Sequence, residues 1–379
     1  MIRRAVFSKM KAAAKERADC GVKEVYSEAL VTCEGEMRPH YASEDIGASL
    51  PTYRSIQASL YRARASIRPP LPQSRTEIII AGEWDRTLGN DPFLLFDDGA
   101  ENRIIGSSTE EMVKILCGVP SVFRDGTFRV VPHLFLQLYT LHGLYKGEMI
   151  PFAYFLLPDK TKETYRRMFV LLKNRANAVG ATLSPSLFQV DFEVAVLKAI
   201  EDEFPLANRK GCHFHFAQSI WRKVQQLGLA PHYAEPGVKR LVRSCTALGL
   251  VPLDRIEDAW LEIDAESPSA EHPAHEKLDA FKQYFIETWL ENDAIFPRDL
   301  WNHYRNFGAR TTNHIEGWHQ GSNRIVRKSH VNLFEMIKHL QKQEAKYSVK
   351  ILMLDMGQAP EKVKKKYEDL DRKLIRLVD

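Results

Sequence analysis

Residues 121–160 read SVFRDGTFRVVPHLFLQLYTLHGLYKGEMIPFAYFLLPDK, and three runs within them are rich in phenylalanine, tyrosine, valine and leucine. These runs cover Val122–Val130, Leu134–His142 and Met149–Leu156. Aromatic and β-branched residues favour strands, and Gly143–Gly147 is typical of a turn between the second and third runs. The stretch therefore predicts three strands in quick succession.

The residues that follow alternate between helix and strand patterns. Apolar residues at helical spacing, with Gly180 after them, indicate a helix built on Tyr165, Met168, Phe169 and Leu172. Leu187–Phe192 predicts a further strand, and Val194–Glu203 predicts a second helix that stops before Pro205. Three strands, a helix, a strand and a helix are the order expected of a mixed α/β sheet with one parallel addition.

A basic helix is predicted upstream, at residues 53–67. Its apolar residues recur at helical spacing and are Ile56, Leu60, Ala63 and Ile67. Four arginines decorate it, namely Arg54, Arg62, Arg64 and Arg68. Proline cannot continue a helix, so Pro69–Pro72 indicates a linker.

A small α+β region is predicted between this linker and the strands. Ile78–Ala81 has the composition of a short strand. Phe93–Phe96 and Arg103–Ile105 flank Asp98-Gly99, which is a hairpin signal. Serines followed three residues later by glutamates predict a helix at about 109–117.

The region after the predicted sheet is mostly helical in pattern, from about 216 to 300. A late amphipathic helix is indicated by Leu333, Phe334, Ile337 and Leu340, and a basic tail contains Lys362 and Lys364–Lys366. We therefore divide the chain into a basic helical region (1–72), a small α+β region (73–119), the first part of a core (120–219), a helical insertion (220–305), the last core helices (306–347) and a helical tail (348–379).

The composition is that of an ordinary soluble globular chain. Of 379 residues, 44% are hydrophobic and 27% are charged. Apolar stretches such as Ile150–Leu157 are far below the ~18 residues that span a bilayer, and no apolar block follows the basic N-terminus. We therefore expect a soluble intracellular protein that has no secretory signal and does not bind membranes.

The net charge and the cysteine content restrict the possible functions less strongly than the hydrophobic composition does. The net charge of +4 permits nucleic-acid binding through local patches without requiring it. The five cysteines are thinly spread and odd in number, which favours reduced thiols over a disulfide framework. They are Cys20, Cys33, Cys117, Cys212 and Cys245.

Two aspartates are the first candidates for chemistry. Asp125 lies inside an apolar run, where a carboxylate is costly to bury unless it is paired or binds a metal, although an Asp before Gly126 also suits a turn. Asp191 ends the predicted parallel strand, where mixed sheets place ligands, although capping of the next helix is equally consistent. Glu193, two residues on, is interpreted as a charge at that helix N-terminus.

Two further sets of polar residues stand out. If residues near 316 are helical, one face carries Asn313, Glu316, Gln320 and Asn323, which is either a solvated face or part of a site. Cys212 and His215 form a Cys-x-x-His half-site, but zinc needs about four ligands, so structural packing of Cys212 and a hydrogen-bonded His215 is the alternative. No phosphate-cradling glycine loop and no Gly-x-Ser-x-Gly elbow is present in the sequence.

Taken in order, these residues resemble the transposases of Mutator-like elements (MULE), a branch of the DDE superfamily. The resemblance covers roughly residues 120–345, and the Arg/Pro-rich region upstream is also similar to the segment before this domain in animal members. It is carried by Asp125, Gln137–Gly143, Pro158–Thr161, Asp191–Glu193, Gly211–Gln218, Trp221–Lys223 and Thr312–His319.

The resemblance implies an RNase H-like fold with a helical insertion before the last catalytic acid. It implies that Asp125 and Asp191 are metal-binding aspartates and that Glu316 is the third catalytic and metal-binding acid. Two Mg²⁺ or Mn²⁺ ions are the implied cofactors, since hard divalent cations prefer carboxylate oxygen. Cys212 and His215 match the family's Cys-x-x-His element, which we interpret as architectural support for the site.

The implied function is that of a DDE-type DNA transposase that cleaves DNA and transfers strands. The alternatives are a domesticated, non-catalytic DNA-binding or chromatin protein on the same fold, and an RNase H-like nuclease without transposition activity. DNA is the expected partner, self-association is expected from the family, and the nucleus is the expected location. Cys20, Cys33 and His40 are not spaced as a complete zinc finger.

Basic side chains in two places are the candidates for contacts with the DNA backbone. They are Arg54, Arg62 and Arg64 in the first predicted helix, and Arg222 and Lys223 in the helical region. Such contacts would make the affinity for DNA depend on salt. The alternative for both sets is that they are ordinary exposed basic residues.

Overall fold

The structure is a computed structural model that describes residues 2–17, 20–99, 101–306, 315, 317–319, 321, 330–361, 369, 372–373 and 375–376. The chain divides into two compact units, Met1–Gln73 with Asn332–Ile337 and Ser74–Val331 with Lys338–Asp379. None of the helices in the described ranges has the length and apolar character that crossing a membrane requires.

The first unit is helical and has its own apolar core. Its helices are α1 (Ile2–Glu16), α2 (Val22–Met37), α3 (Ser43–Ser49) and α4 (Tyr53–Ala65). The hydroxyl of Thr52 accepts a hydrogen bond from the Ser55 amide and so caps the start of α4. Ile56, Leu60 and Ala63 are buried, as their spacing predicts, whereas Ile67 is exposed because α4 ends two residues before it.

The second unit contains one mixed sheet. Its strands are β1 (Leu94–Asp97), β2 (Ile105–Ser107), β3 (Ser121–Thr127), β4 (Gln137–Tyr145), β5 (Glu148–Leu157), β6 (Leu187–Val190) and β7 (Asn208–Gly211). Within the described residues their order is β1-β2-β5-β4-β3-β6-β7. The predicted run of three strands is the antiparallel β3-β4-β5 meander, and β6 and β7 add in parallel beside β3.

Three details of the predicted sheet are corrected. Ile78–Ala81 is not a strand but joins two short 3₁₀ turns, Arg75–Glu77 and Gly82–Trp84. The hairpin of β1 and β2 forms as predicted, yet β2 also pairs with β5, so the hairpin is the edge of the main sheet. The sheet gains two parallel strands rather than one, because the polar segment Asn208–Gly211 pairs with β6.

Helices cover the sheet and continue beyond it. They are α5 (Glu110–Gly118), α6 (Lys162–Ala178), α7 (Val194–Glu203), α8 (His213–Gln226), α9 (Pro236–Ala247), α10 (Ile256–Ala265), α11 (His275–Phe285) and α12 (Arg298–Trp301). A later helix, α13, spans Leu333–Asp355. The core of the second unit is continuous from the sheet and α6 into α8–α12, so the helical segment after residue 216 packs on the sheet rather than forming a separate core.

Candidate functional site

Asp125 lies inside β3 and not in a turn. It is paired with Thr140 of β4, whose hydroxyl donates to the Asp125 carbonyl at 3.3 Å. The carboxylate Oδ1 accepts the Gly126 amide at 2.8 Å, and the side chain is 14% exposed. A side chain at position 126 would place its Cβ 2.7 Å from Gln137 Oε1, which explains the glycine there. The turn interpretation of Asp125 is therefore wrong.

Asp191 follows directly after β6. The N-cap position of α7 is occupied by Glu193, two residues further on, so the capping interpretation of Asp191 is also wrong. β3 and β6 are parallel neighbours in which Phe123 pairs with Gln189. Continuing that register by two residues brings Asp125 level with Asp191, on strands that lie ~4.8 Å apart. The two aspartates thus occupy the same end of adjacent parallel strands.

Arg124 is a buried cation that the sequence analysis missed. It is 1% exposed and forms an ion pair with Asp191 Oδ1, while it also donates to the Asp191 carbonyl at 3.3 Å. Glu193 Oε2 lies 4.0 Å from its Nη1, and its guanidinium lies 5.6 Å from the centre of the Tyr139 ring. Burial, the largest single effect, lowers the pKa of Arg124, but Asp191, Tyr139, Tyr165 and Glu193 together more than offset it, so the pKa is raised and the cation is retained.

Glu193 belongs to the same polar cluster. Its carboxylate accepts a hydrogen bond from Tyr165 Oη at 2.8 Å, and Tyr165 in turn accepts one from Gln137 at 2.7 Å. Glu193 stands at the start of α7, as the interpretation of a helix-terminal charge requires, but its side chain does not cap the helix. It instead connects β3, α6 and the residues after β6.

His319 contacts Asp125 from a different part of the chain. Its Nε2 lies 3.4 Å from Asp125 Oδ2, and the ring is 6% exposed. Burial lowers the pKa of His319 to about 4, so the ring is neutral at neutral pH. The neighbouring Trp318 stacks on Tyr154 of β5 at 5.8 Å and donates to Gln343 at 3.1 Å. These contacts pack Trp318 and His319 on the sheet face that carries Asp125.

The third acid of the prediction lies outside the described residues. Glu316 is not among them, and the same holds for the other polar positions predicted to share its face: Asn313, Gln320 and Asn323.

Cys212 and His215 lie at the start of α8. Cys212 is fully buried, and its amide donates to the Val190 carbonyl at 2.7 Å, which ties α8 to the residue before Asp191. His215 is half-buried, and burial lowers its pKa, with Asp191 opposing and Arg124 adding to that shift. His215 therefore shares the electrostatic environment of Asp191, whereas Cys212 takes part in packing.

An aromatic cluster supports the turn that contains Asp191. Phe192 packs against Phe216, Trp289 and Phe296 at ring-centre distances of 6.3, 4.9 and 5.1 Å. The Phe192 ring also covers Gly211, where a Cβ would lie 2.2 Å from it. The helical segment after residue 216 therefore packs against the residue between Asp191 and Glu193 and supports the positions of both.

Carboxylate oxygens are the donors that Mg²⁺ and Mn²⁺ prefer, so Asp125 and Asp191 are chemically suited to such ions. Among the described residues, neither aspartate belongs to a set of three potential ligands within 4.8 Å of one another. In the described part of the chain, such a set occurs elsewhere, at His232, Glu235 and His272. There, the Ala274 amide donates to His272 Nδ1 at 3.1 Å, which places the ring proton on Nε2, where it donates to Glu235 at 2.6 Å.

The basic residues proposed for DNA contacts differ in exposure. Arg54, Arg62 and Arg222 are exposed. Lys223 lies with its ammonium group 4.8 Å from the centre of the Tyr284 ring. Arg64 is buried, and its guanidinium donates to the carbonyls of residues 14 and 17 at 3.0 and 2.7 Å. A surface role for Arg64 is therefore wrong, because it satisfies carbonyls at the end of α1.

Comparison with known families identifies part of this region. Residues 121–219 match the family model described as the MULE transposase domain. The match begins at the first residue of β3 and ends within α8, so it includes Asp125, Asp191, Cys212 and His215. No curated protein matches the chain.

Proposed function

We propose, from the MULE transposase domain that residues 121–219 form, that this protein is a DDE-type DNA transposase with metal-dependent cleavage and strand-transfer activity. The observation that carries the proposal is the position of Asp125 and Asp191 at the same end of adjacent parallel strands within the matched region. The antiparallel β3-β4-β5 meander with β6 added beside β3 also agrees with the RNase H-like fold that the family implies.

The proposed metal ligands are Asp125, Asp191 and Glu316. When bound, two divalent cations activate the attacking hydroxyl and stabilise the leaving oxygen of the phosphodiester. Arg124 has a separate role in this proposal, because it neutralises Asp191 and keeps it next to Glu193. Asp191 Oδ1, which pairs with Arg124, would be shared with or released to a bound cation, while the hydrogen bond from Arg124 to the Asp191 carbonyl would hold the backbone in place.

His319 supports the inclusion of Glu316 in the site. It follows Glu316 by three positions within the Thr312–His319 motif that carries the family resemblance. Because His319 Nε2 is 3.4 Å from Asp125 Oδ2, we expect Glu316 to serve the same site as Asp125. His319 is neutral and so leaves the negative charge of Asp125 available to a cation.

A nicking assay on supercoiled DNA with Mg²⁺ or Mn²⁺ tests the proposal. Asp125→Asn, Asp191→Asn and Glu316→Gln should each abolish nicking and leave DNA binding nearly unchanged, because they remove a ligand charge rather than a DNA contact. Glu271→Gln is the matched control, since Glu271 is exposed and outside the site. Nicking by Asp191→Asn at the wild-type rate would exclude the site.

The same assay separates the transposase from the alternative of a non-catalytic DNA-binding or chromatin protein. Retained DNA binding with no metal-dependent nicking by the wild-type protein would favour the alternative. We also propose nuclear localisation and self-association, because transposition acts on paired DNA ends. Imaging of the tagged protein and light scattering with and without DNA test these two proposals.

A further inference from the structure

A basic groove runs between α1 and α4 in the first unit. Its volume is about 500 Å³. Polar side chains on its walls are Ser8, Lys11, Lys15, Ser59, Arg62 and Ser66. On each helix the lining residues are spaced three or four positions apart, and this spacing places side chains on one face of a helix.

The charge of the groove is uncompensated within the described residues. Lys11, Lys15 and Arg62 are exposed, and no acidic side chain lines the groove. Other cations of this unit are used in ion pairs, such as Lys9 with Glu36 and Arg38 with Glu34. Three exposed cations therefore lie together beside three serines, of which Ser59 accepts from Arg62 at 3.4 Å and Ser66 donates to the Ala63 carbonyl at 2.8 Å.

The groove is built into the packing of the two helices. Ala12 and Ala63 also line it, and their small side chains leave room between the walls. Arg64, next to Ala63, clamps α4 to the end of α1 through its bonds to two α1-end carbonyls at 3.0 and 2.7 Å. The groove is thus formed by the packing of α1 against α4 in the protein alone.

We propose that this α1–α4 groove binds the phosphodiester backbone of duplex DNA. Ammonium and guanidinium groups without a neighbouring acid are the chemistry that recognises phosphate, and the Ser8 hydroxyl adds a polar group beside them. Lys11 and Lys15 are one turn apart, ~6 Å along α1, so each reaches a separate phosphate. Contacts of this kind carry no base specificity, so the groove would add affinity and orient the DNA rather than select a sequence. The choice of DNA as the ligand rests on the proposed function.

The test is the affinity of the full-length protein for a fluorescein-labelled duplex of mixed sequence, measured by anisotropy at several salt concentrations. The variant Lys11→Gln/Lys15→Gln/Arg62→Gln should bind on the order of a hundredfold more weakly at ~0.1 M salt, because each phosphate contact adds ~0.9 to the slope of log affinity against log salt. The salt slope should fall by about 2 to 3 for the same reason.

Two matched variants complete the design. Lys23→Gln/Lys114→Gln/Lys239→Gln removes the same charge at exposed positions outside the groove and should bind within about threefold of wild type, since long-range charge is screened. Lys11→Arg/Lys15→Arg/Arg62→Lys keeps the groove charge and should retain the affinity. All substitutions are at exposed side chains, so unchanged melting temperatures are expected.

Equal affinity of the groove variant and the wild type would overturn the proposal, as would an equal loss in the control variant. A wild-type protein that does not bind duplex DNA would overturn it as well. Metal-dependent nicking is measured separately. If the groove variant loses affinity for DNA and the wild type does not nick DNA, the groove proposal is supported and the catalytic proposal is overturned. If the wild type nicks DNA and the groove variant binds DNA with unchanged affinity, the catalytic proposal is supported and the groove proposal is overturned.

Discussion

Replacing Arg124 by methionine should destabilise the second unit, because it removes the cation from a buried cluster while keeping most of the apolar stem. Arg124 is 1% exposed, and the Asp191 and Glu193 side chains around it are 29% and 20% exposed. Removing one partner of a fully buried ion pair costs ~3–5 kcal/mol. The two carboxylates still reach water, so we expect a smaller loss, about 2–3 kcal/mol.

Urea unfolding followed by tryptophan fluorescence measures this loss in the right part of the chain. All six tryptophans, from Trp84 to Trp318, lie in the second unit, so the signal is independent of the first. A double-mutant cycle with Asp191→Asn isolates the pair, and we expect a coupling free energy of about 1–3 kcal/mol. The control is Arg240→Met, which removes an ion pair with Glu266 whose side chains are 64% and 61% exposed, and it should cost less than ~1 kcal/mol.

A loss of less than ~0.5 kcal/mol for Arg124→Met, or a coupling free energy near zero, would refute the structural role of the pair. Equal losses for Arg124→Met and Arg240→Met would refute it too, because the reasoning depends on burial. A loss with Arg124→Met but no coupling to Asp191 would assign the stabilisation to the packing of Arg124 on Tyr139 instead.

Two further predictions concern packing and pH. Gly211→Ala should lower the free energy of unfolding by about 1–3 kcal/mol, because its Cβ would lie 2.2 Å from the Phe192 ring, which Trp289 holds in place. Gly118→Ala, where a Cβ meets nothing within 4 Å, is the control, and equal urea midpoints for the two variants would contradict the argument. Burial lowers the pKa of His339 to about 4, below its pKa of ~6.5 in the unfolded chain. The neutral ring therefore contributes stability fully above pH ~6.5, and this contribution should be lost as the pH falls toward 4. Between about pH 7 and pH 4 the free energy of unfolding of the wild type should fall by up to ~3 kcal/mol more than that of His339→Leu. Parallel curves of unfolding free energy against pH would show that this histidine does not titrate as described.

Much of the fold could be predicted because its signals are local. The β3-β4-β5 meander follows from alternating apolar runs and a glycine turn, and the β1-β2 hairpin follows from Asp98-Gly99, with Gly99 at φ +64°. β7 was not predicted, because Asn208–Gly211 is polar and becomes a strand only by pairing with β6. The composition of Ile78–Ala81 predicted a strand. The segment is not a strand because, within the described residues, no neighbouring strand pairs with it.

The site was predictable to the level of residue type. The positions of Asp125 and Asp191 in an ordered set of motifs pointed to the family, which the match of residues 121–219 supports. The role of Arg124 was not predictable, because its partner Asp191 is close only after β3 and β6 pair. His319 is a similar case, since its contact with Asp125 depends on a segment that is distant in sequence.

The amino-acid sequence alone determined where most strands and helices lie and which acids are candidates for chemistry, because periodicity and motif order are properties of neighbouring residues. Only the tertiary structure decided that Arg64 is buried at the end of α1 and that Arg124 neutralises Asp191. The physical reason is that burial and electrostatic interaction depend on distances between elements far apart in the chain, and those distances are set by packing.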